Sequence, residues 1–404
     1  MEKSQPNLKE RQYYIDWLRI LLILSVFLFH IGMIFNTWDW HIKNDQKFEE
    51  LKDIMTFLHY WRIPLLFLVS GAGIWFALGF RSPGEYLKER SKRLLIPAIA
   101  GIFLLVPIQV YLDTNLTERM SQYKSIFDFY PHMFEGIYPE GNFSWHHLYF
   151  IIYLFVIALI ISPFLKFFRS SKFARFMKWL ERIVTKPFGV NLFFIPLVIS
   201  QIILRPFFPE ETHALFNDWA TFAFYLLFFL AGFVLLSNKN IVDSISKHRF
   251  LYFFQSVLVT VFMFKVPDMA SIQKTGEILW VLGSIMVAWS VSLCAIGYAR
   301  KYLNRNSDFR KFANEAIYPF YLLHQPAIVV TGYFIVRCDI PVIMKFTLIT
   351  TISLLLTLSV YFLLIRRFNC FRVIFGLKLK HNKTQQSIQR RLSPVFIAEK
   401  SKAC

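Results

Sequence analysis

Polar residues gather in clusters along this chain and leave long apolar stretches between them. A bilayer-spanning helix needs about 20 mostly apolar residues. Ten stretches approach that length, at 15–36, 57–79, 94–112, 146–165, 188–205, 219–236, 250–267, 277–299, 316–336 and 341–365. Pro187 and Pro206 bound the fifth and Pro267 ends the seventh, so these two are the least clearly delimited. No small-x-small cleavage site follows the first stretch, which therefore reads as a membrane helix rather than a removable signal. The pattern predicts an all-α, polytopic membrane helix bundle of about ten transmembrane helices. It divides the chain into a short N-terminus (1–14), a transmembrane domain (15–366) and a polar, basic, partly disordered tail (367–404).

Composition agrees. Of 404 residues, 55% are hydrophobic and only 18% charged, with 46 Phe, 10 Trp and 18 Tyr. Soluble domains carry roughly a quarter charged residues. The net charge of +19 raises nucleic acid as a partner,. Its distribution answers that. With the N-terminus placed in the cytoplasm, 33 of the 45 Lys and Arg fall on cytoplasmic segments and ten on the opposite side, while Arg19 and Arg62 lie within helices. That bias follows the positive-inside rule. Both termini are expected in the cytoplasm, the chain is expected to be a multi-pass protein of the cell (inner or plasma) membrane, and no nucleic acid is expected. Cys294, Cys338, Cys370 and Cys404 show no paired framework or CxxC spacing, so neither disulfides nor a metal site is expected,.

Ionisable residues inside membrane helices are costly and mark functional sites by default. Four groups stand out. In the first stretch Arg19 and His30 are eleven positions apart, close to three helical turns, so they share a face roughly 16 Å apart along the axis,. Histidine moves protons near neutral pH, and arginine stabilises anions. Asp16, three residues before Arg19, shares its face,. Second, Arg90 and Arg93 sit three apart at the expected cytoplasmic surface, where guanidinium forks suit phosphate,. Third, Arg62 precedes the small residues Ser70, Gly71 and Gly73, which suit close helix packing,. Fourth, Tyr321, His324 and Pro326 place a second intramembrane histidine beside a helix-breaking residue,. His146 and His147 lack a carboxylate at metal-ligand spacing,. Spacing alone leaves each group open to a structural reading: a snorkelling arginine, a buried histidine, a topology-fixing basic cluster. The 113–145 segment, with Asp113, Glu118, Asp128, Glu135 and Glu140 among many aromatics, is either a docking surface for an acceptor or a solvated loop.

Taken together, the four groups resemble the acyltransferase-3 family of integral membrane acyltransferases, which includes bacterial O-acetyltransferases of surface polysaccharides and the succinyltransferase of periplasmic glucans. Arg19 and His30 match its arginine–ten residues–histidine pattern, and Arg90 and Arg93 its Arg-x-x-Arg. Phe67-Leu-Val-Ser70-Gly71 resembles its phenylalanine-serine-glycine segment with two residues inserted, and Tyr321-Leu-Leu-His324 its tyrosine-leucine-histidine segment. The resemblance spans about residues 13–366. The long third inter-helix loop is closer to the glucan-modifying branch.

The resemblance implies an acyl-CoA donor (acetyl-CoA or succinyl-CoA) arriving from the cytoplasm, no metal, and an acceptor hydroxyl on an envelope glycan. It gives His30 and Arg19 as catalytic, Arg90 and Arg93 as holding coenzyme A, and Asp16, Arg62, Tyr321 and His324 as lining the substrate cavity. A multispanning transporter or exporter of a glycan or small metabolite is the competing class; it would share the helix count and buried charges. The two halves show no evident hydropathy repeat. The oligomeric state is not encoded in these patterns.

Overall fold

The computed structural model describes residues 12–78, 82–265 and 273–380. The expected helix end at Pro267, most of the N-terminal segment and the tail beyond residue 380 lie outside the described residues. Among those described, the fold is helical throughout, with one isolated bridge between Ile137 and Phe143.

Within the described residues each of the ten apolar stretches is largely helical. In chain order these are α1 (Tyr13–Met33), α2 (Leu51–Leu78), α3 (Pro83–Tyr111), α4 (His146–Phe168), α5 (Gly189–Leu204), α6 (Trp219–Ser237), α7 (Arg249–Lys265), α8 (Gln273–Tyr302), α9 (Asp308–Ile335) and α10 (Val342–Ile365). Among the described residues, α1, α2, α3, α4, α6, α8 and α10 have segments long and apolar enough to cross a membrane. α5 and the apolar part of α7 are shorter. α9 spans 28 residues but opens with Asp308, Arg310, Lys311 and Glu315 and holds Pro319 and Pro326. Its second half is almost wholly buried.

α9 packs against α1 and α10, and α2 runs along α6. The α2–α6 contact depends on glycine. A methyl group at Gly71 would lie 2.0 Å from the Phe229 carbonyl oxygen, and one at Gly232 only 1.8 Å from that of Leu68. Backbones this close leave no room for a Cβ, the small-residue packing that substitutes for a hydrophobic driving force in lipid. Gly73 differs from its neighbour. A methyl there would meet the Arg90 guanidinium at 3.2 Å rather than another helix backbone.

Lipid hydrocarbon offers no hydrogen bonds, so backbone groups freed by proline need partners within the protein. Pro97, Pro107 and Pro326 each lack the N–H that would bond the carbonyl four residues earlier. Arg93 O accepts instead from the Tyr318 hydroxyl at 2.6 Å, Phe103 O from the Tyr130 hydroxyl, and Leu322 O from His147 Nε2–H at 3.1 Å. Just before Pro97, residues Ser91–Leu95 widen into a single π-turn. Such turns recur at functional positions.

Candidate active site

α1, α4 and α9 converge on a pair of histidines. His324 Nδ1 lies 2.6 Å from the Tyr321 carbonyl oxygen one turn earlier. A carbonyl only accepts, so this nitrogen carries the proton. In the neutral ring Nε2 is then an acceptor, and it lies 2.9 Å from His30 Nδ1. His30 therefore donates through Nδ1, and its Nε2 keeps a lone pair, the form a general base needs. The two rings are nearly parallel, 7° apart with centroids at 5.1 Å. On its other side His30 stacks on Trp40 at 6.0 Å.

His147 completes the floor. Its Nε2–H is committed to Leu322 O, its ring lies 5.3 Å from that of His324, and its own carbonyl accepts from the Tyr321 hydroxyl. Its Nδ1 is buried without a partner. Beyond it, His41 Nδ1–H donates to Asp113 Oδ2 at 2.7 Å, and Gln325, the neighbour of His324, reaches His41 Nε2 at 3.3 Å. Asp113 is buried and also accepts from the Tyr138 hydroxyl (3.0 Å) and the Asn115 amide (2.9 Å). The 34–50 and 113–145 loops are thereby latched over the histidine end of α1. Hydrogen bonding and burial both act on Tyr138: burial, then the Asp113 carboxylate, push its hydroxyl well above the usual phenol range.

At the other end of α1 opens a cavity of about 750 Å³. Its lining includes Arg19, Arg90, Arg93, Lys311, Arg372 and Lys378, with Glu89 and Glu315 as the acids. A volume of this order suits a large ligand. Arg93 leans on Glu89 (3.4 Å) and Arg372 on Glu315 (3.0 Å). Arg90 has no such partner among the described residues; it rests over the Tyr86 ring and its Nε is buried and unpaired. The segment after α10 folds back to close one wall. Gly376 there has φ +70°, and a methyl would lie 2.6 Å from the Tyr318 ring and 3.0 Å from Arg93 O. Glycine is required on both counts. Tyr321 also lines the cavity, and its ring is 5.7 Å from that of His324, so one side chain separates the cavity from the histidine pair.

The eight residues singled out from sequence fall into four places. Arg19, Arg90, Arg93 and Tyr321 line the cavity. His30 and His324 are hydrogen-bonded to each other. Arg62 is buried, with its guanidinium carbon 3.5 Å over the Phe29 ring beside His30. Asp16 points toward α9, where it pairs with Arg310 and lies 3.9 Å from Arg19. Sequence reasoning did not anticipate His147, the His41–Asp113 pair, Tyr318 or Arg372. The Pro326 rule, followed four residues back to Leu322 O, signals that a donor is needed but not which one. Among the described residues no group of three or more His, Cys, Asp or Glu is arranged to hold a metal ion.

Comparison with known proteins supplies the rest. A family model described as an acyltransferase domain matches residues 12–366. Glucans biosynthesis protein C of Salmonella typhi and that of Salmonella typhimurium (strain LT2) are each 22% identical over 343 residues, covering 80% of this chain and 84% of the relative. The Salmonella paratyphi B protein of the same name is 25% identical over 167 residues, 40% of this chain and 41% of its own. No solved structure matches. The matched span runs from the first turn of α1 to the end of α10 and so takes in both the histidine pair and most of the basic cavity: the chain belongs to the acyltransferase-3 family.

Proposed function

We propose that this multi-pass membrane acyltransferase takes an acyl group, acetyl or succinyl, from acyl-CoA in the cytoplasm. It passes that group to a hydroxyl of an envelope glycan. The observation that carries the reading is the His30–His324 hydrogen bond, which leaves His30 Nε2 unprotonated, in a pair whose His324 ring is 5.7 Å from that of the cavity-lining Tyr321. Arg90 and Arg93 hold the phosphates of coenzyme A, and Arg19 carries the same positive field inward along α1. The basic end of the bundle is the cytoplasmic one, in a cell inner or plasma membrane. The latched loops at the His30 end form the acceptor side.

The chemistry is a balanced exchange. The acceptor oxygen attacks the thioester carbonyl carbon while His30 Nε2 takes the hydroxyl proton. The tetrahedral intermediate collapses with cleavage of the C–S bond, and the proton passes from His30 to the departing thiolate. The products are an ester and free coenzyme A. His324 holds His30 in the required tautomer, as the carboxylate does in serine-protease triads.

Release of coenzyme A thiol from acetyl-CoA and succinyl-CoA by the purified protein, with glycan acceptor present, tests the reading. Removing a general base typically costs about 10²–10⁴ in rate. A folded His30→Ala protein with full activity would overturn the assignment. Mass spectrometry of envelope glycans from cells with and without the gene identifies the ester. Transport of intact substrate without thioester consumption would establish the exporter class instead.

A further inference from the structure

Among the described residues Arg62 is the one buried cation beside the histidine pair, and it is left over by the scheme above. It is 3% exposed, and its Nε and Nη1 have no hydrogen-bond partner. Among the described residues no carboxylate pairs with it. The groups in electrostatic range are His30 and His324 on one side and the phenols Tyr149 and Tyr225 on the other. Phe29 holds the guanidinium plane through its ring face at 3.5 Å, which orients the fork without neutralising it,.

A buried guanidinium without a counter-charge is expensive in any protein interior and more so at membrane depth. Other buried arginines here are paired: Arg310 with Asp16, Arg372 with Glu315. Packing therefore does not account for an arginine at position 62. Chemistry does. In acyl transfer one negative charge develops on the former carbonyl oxygen when the acceptor adds to the thioester. It appears only in the transition state and the tetrahedral intermediate. A fixed cation whose donors are unfilled in the resting protein binds that state better than the substrate, which is the condition for catalysis.

We infer that Arg62 is a catalytic residue that stabilises the tetrahedral oxyanion, with its free Nε–H and Nη1–H donating to the oxygen while His30 holds the proton. As the acceptor oxygen bonds to carbon, the carbonyl π pair moves onto oxygen and into the Arg62 fork. As the C–S bond breaks, that pair re-forms the carbonyl and leaves the fork free again. The role rests on the acyl-transfer reading given above.

Arg62→Gln and Arg62→Lys test it in the detergent-purified full chain, read by coenzyme A thiol release and by calorimetric binding of free coenzyme A. Removing one oxyanion donor typically costs about 10²–10³ in kcat. Arg62→Gln is expected to lose that much kcat with KM for acyl-CoA within about threefold and coenzyme A binding unchanged. Arg62→Lys keeps the charge without the fork, so it is expected to recover about tenfold of the loss. Full kcat in folded Arg62→Gln protein overturns the role. So does a loss shared equally by folding, coenzyme A binding and turnover in both variants, which marks Arg62 as structural. A wild-type protein that transfers no acyl group removes the reaction and the role together, whereas an active wild type with an active Arg62→Gln variant removes only the role.

Discussion

His324 is assigned a role that acts through another residue, and that makes a quantitative prediction. It accepts the His30 Nδ1 proton at 2.9 Å and is itself held by Tyr321 O at 2.6 Å. A neutral hydrogen bond of this kind contributes about 0.5–1.5 kcal/mol. At 1.36 kcal/mol per decade, losing it lowers kcat by about two- to twelvefold. His30→Ala removes the base itself and is expected to cost about 10²–10⁴. His324→Ala should thus be the milder variant. It also leaves the half-buried His30 Nδ1–H without its partner, at about 1–3 kcal/mol of stability, whereas Tyr321 O keeps the helical bond from the Gln325 amide,. His324→Gln, whose amide both accepts and donates, should restore part of both losses. The decisive measurement is a double-mutant cycle on kcat with thermal unfolding recorded for every variant. Without His30 nothing remains for His324 to orient, so His30→Ala/His324→Ala should turn over as slowly as His30→Ala and no slower. Two outcomes refute the reasoning. If the losses multiply, His324 has an independent function. If His324→Ala is the more damaging, the base is His324 and the tautomer argument is reversed.

Three further predictions concern the cavity, the bundle and the far-side loops. Arg90→Gln should raise KM for acyl-CoA by about tenfold or more with little change in kcat, since a charge-assisted hydrogen bond to phosphate contributes about 1.5–3 kcal/mol; steady-state kinetics checks it. Asp16→Asn takes the carboxylate from Arg310, which is 1% exposed and keeps only neutral partners such as Asn306 Oδ1, and should cost about 3 kcal/mol of stability by calorimetry, whereas Arg19→Gln should not,. Burial pushes the Glu211 carboxyl up, but the His59 hydrogen bond and the charges of His59, His213 and Arg205 outweigh it and hold the group at about 2. Its folded value lies below its ordinary 4.5, so its stabilisation is complete above pH 4.5 and is lost as pH falls toward 2,. At its part-exposed position that amounts to at most about 1 kcal/mol, and Glu211→Gln should flatten the fall in melting temperature over that window,.

The helices were legible because hydrocarbon imposes its length on sequence. Ten apolar stretches became ten helices, and the two bounded by proline, α5 and α7, are the shorter apolar helices of the fold. Arg19, Arg90 and Arg93 were legible as a group because a positive cluster at one end of neighbouring helices has few ways to be arranged. The histidine partnership was not. His30 and His324 are 294 positions apart, and only the packing of α1 on α9 brings them together. His147 was passed over because a histidine without a nearby carboxylate gives no metal signal, whereas its task is to satisfy a carbonyl. Asp16 carried a local signal, the i,i+3 spacing to Arg19, which the tertiary fold outcompetes: the carboxylate pairs with Arg310 and lies farther from Arg19.

The freed carbonyls tie these observations together. In water a proline-broken helix loses a hydrogen bond and solvent replaces it. In hydrocarbon the carbonyl needs a donor in the protein, and at Pro97, Pro107 and Pro326 another element supplies it,. Two of the three contacts here lie at the site. Pro97 frees Arg93 O, and Tyr318 pins the arginine-bearing turn to α9. Pro326 frees Leu322 O, and His147 pins α9 to α4 beneath the histidine pair. α9 is held at both points, once beside the cavity and once beside the histidine pair. The backbone irregularities therefore fix the distance between the cavity and the histidine pair, because neither α3 nor α4 can slide along α9 without stranding a carbonyl in an apolar interior. In the proposed reaction a thioester seated among the arginines meets His30 at a separation the prolines help determine, and such positioning can supply a large part of a transfer reaction's rate advantage.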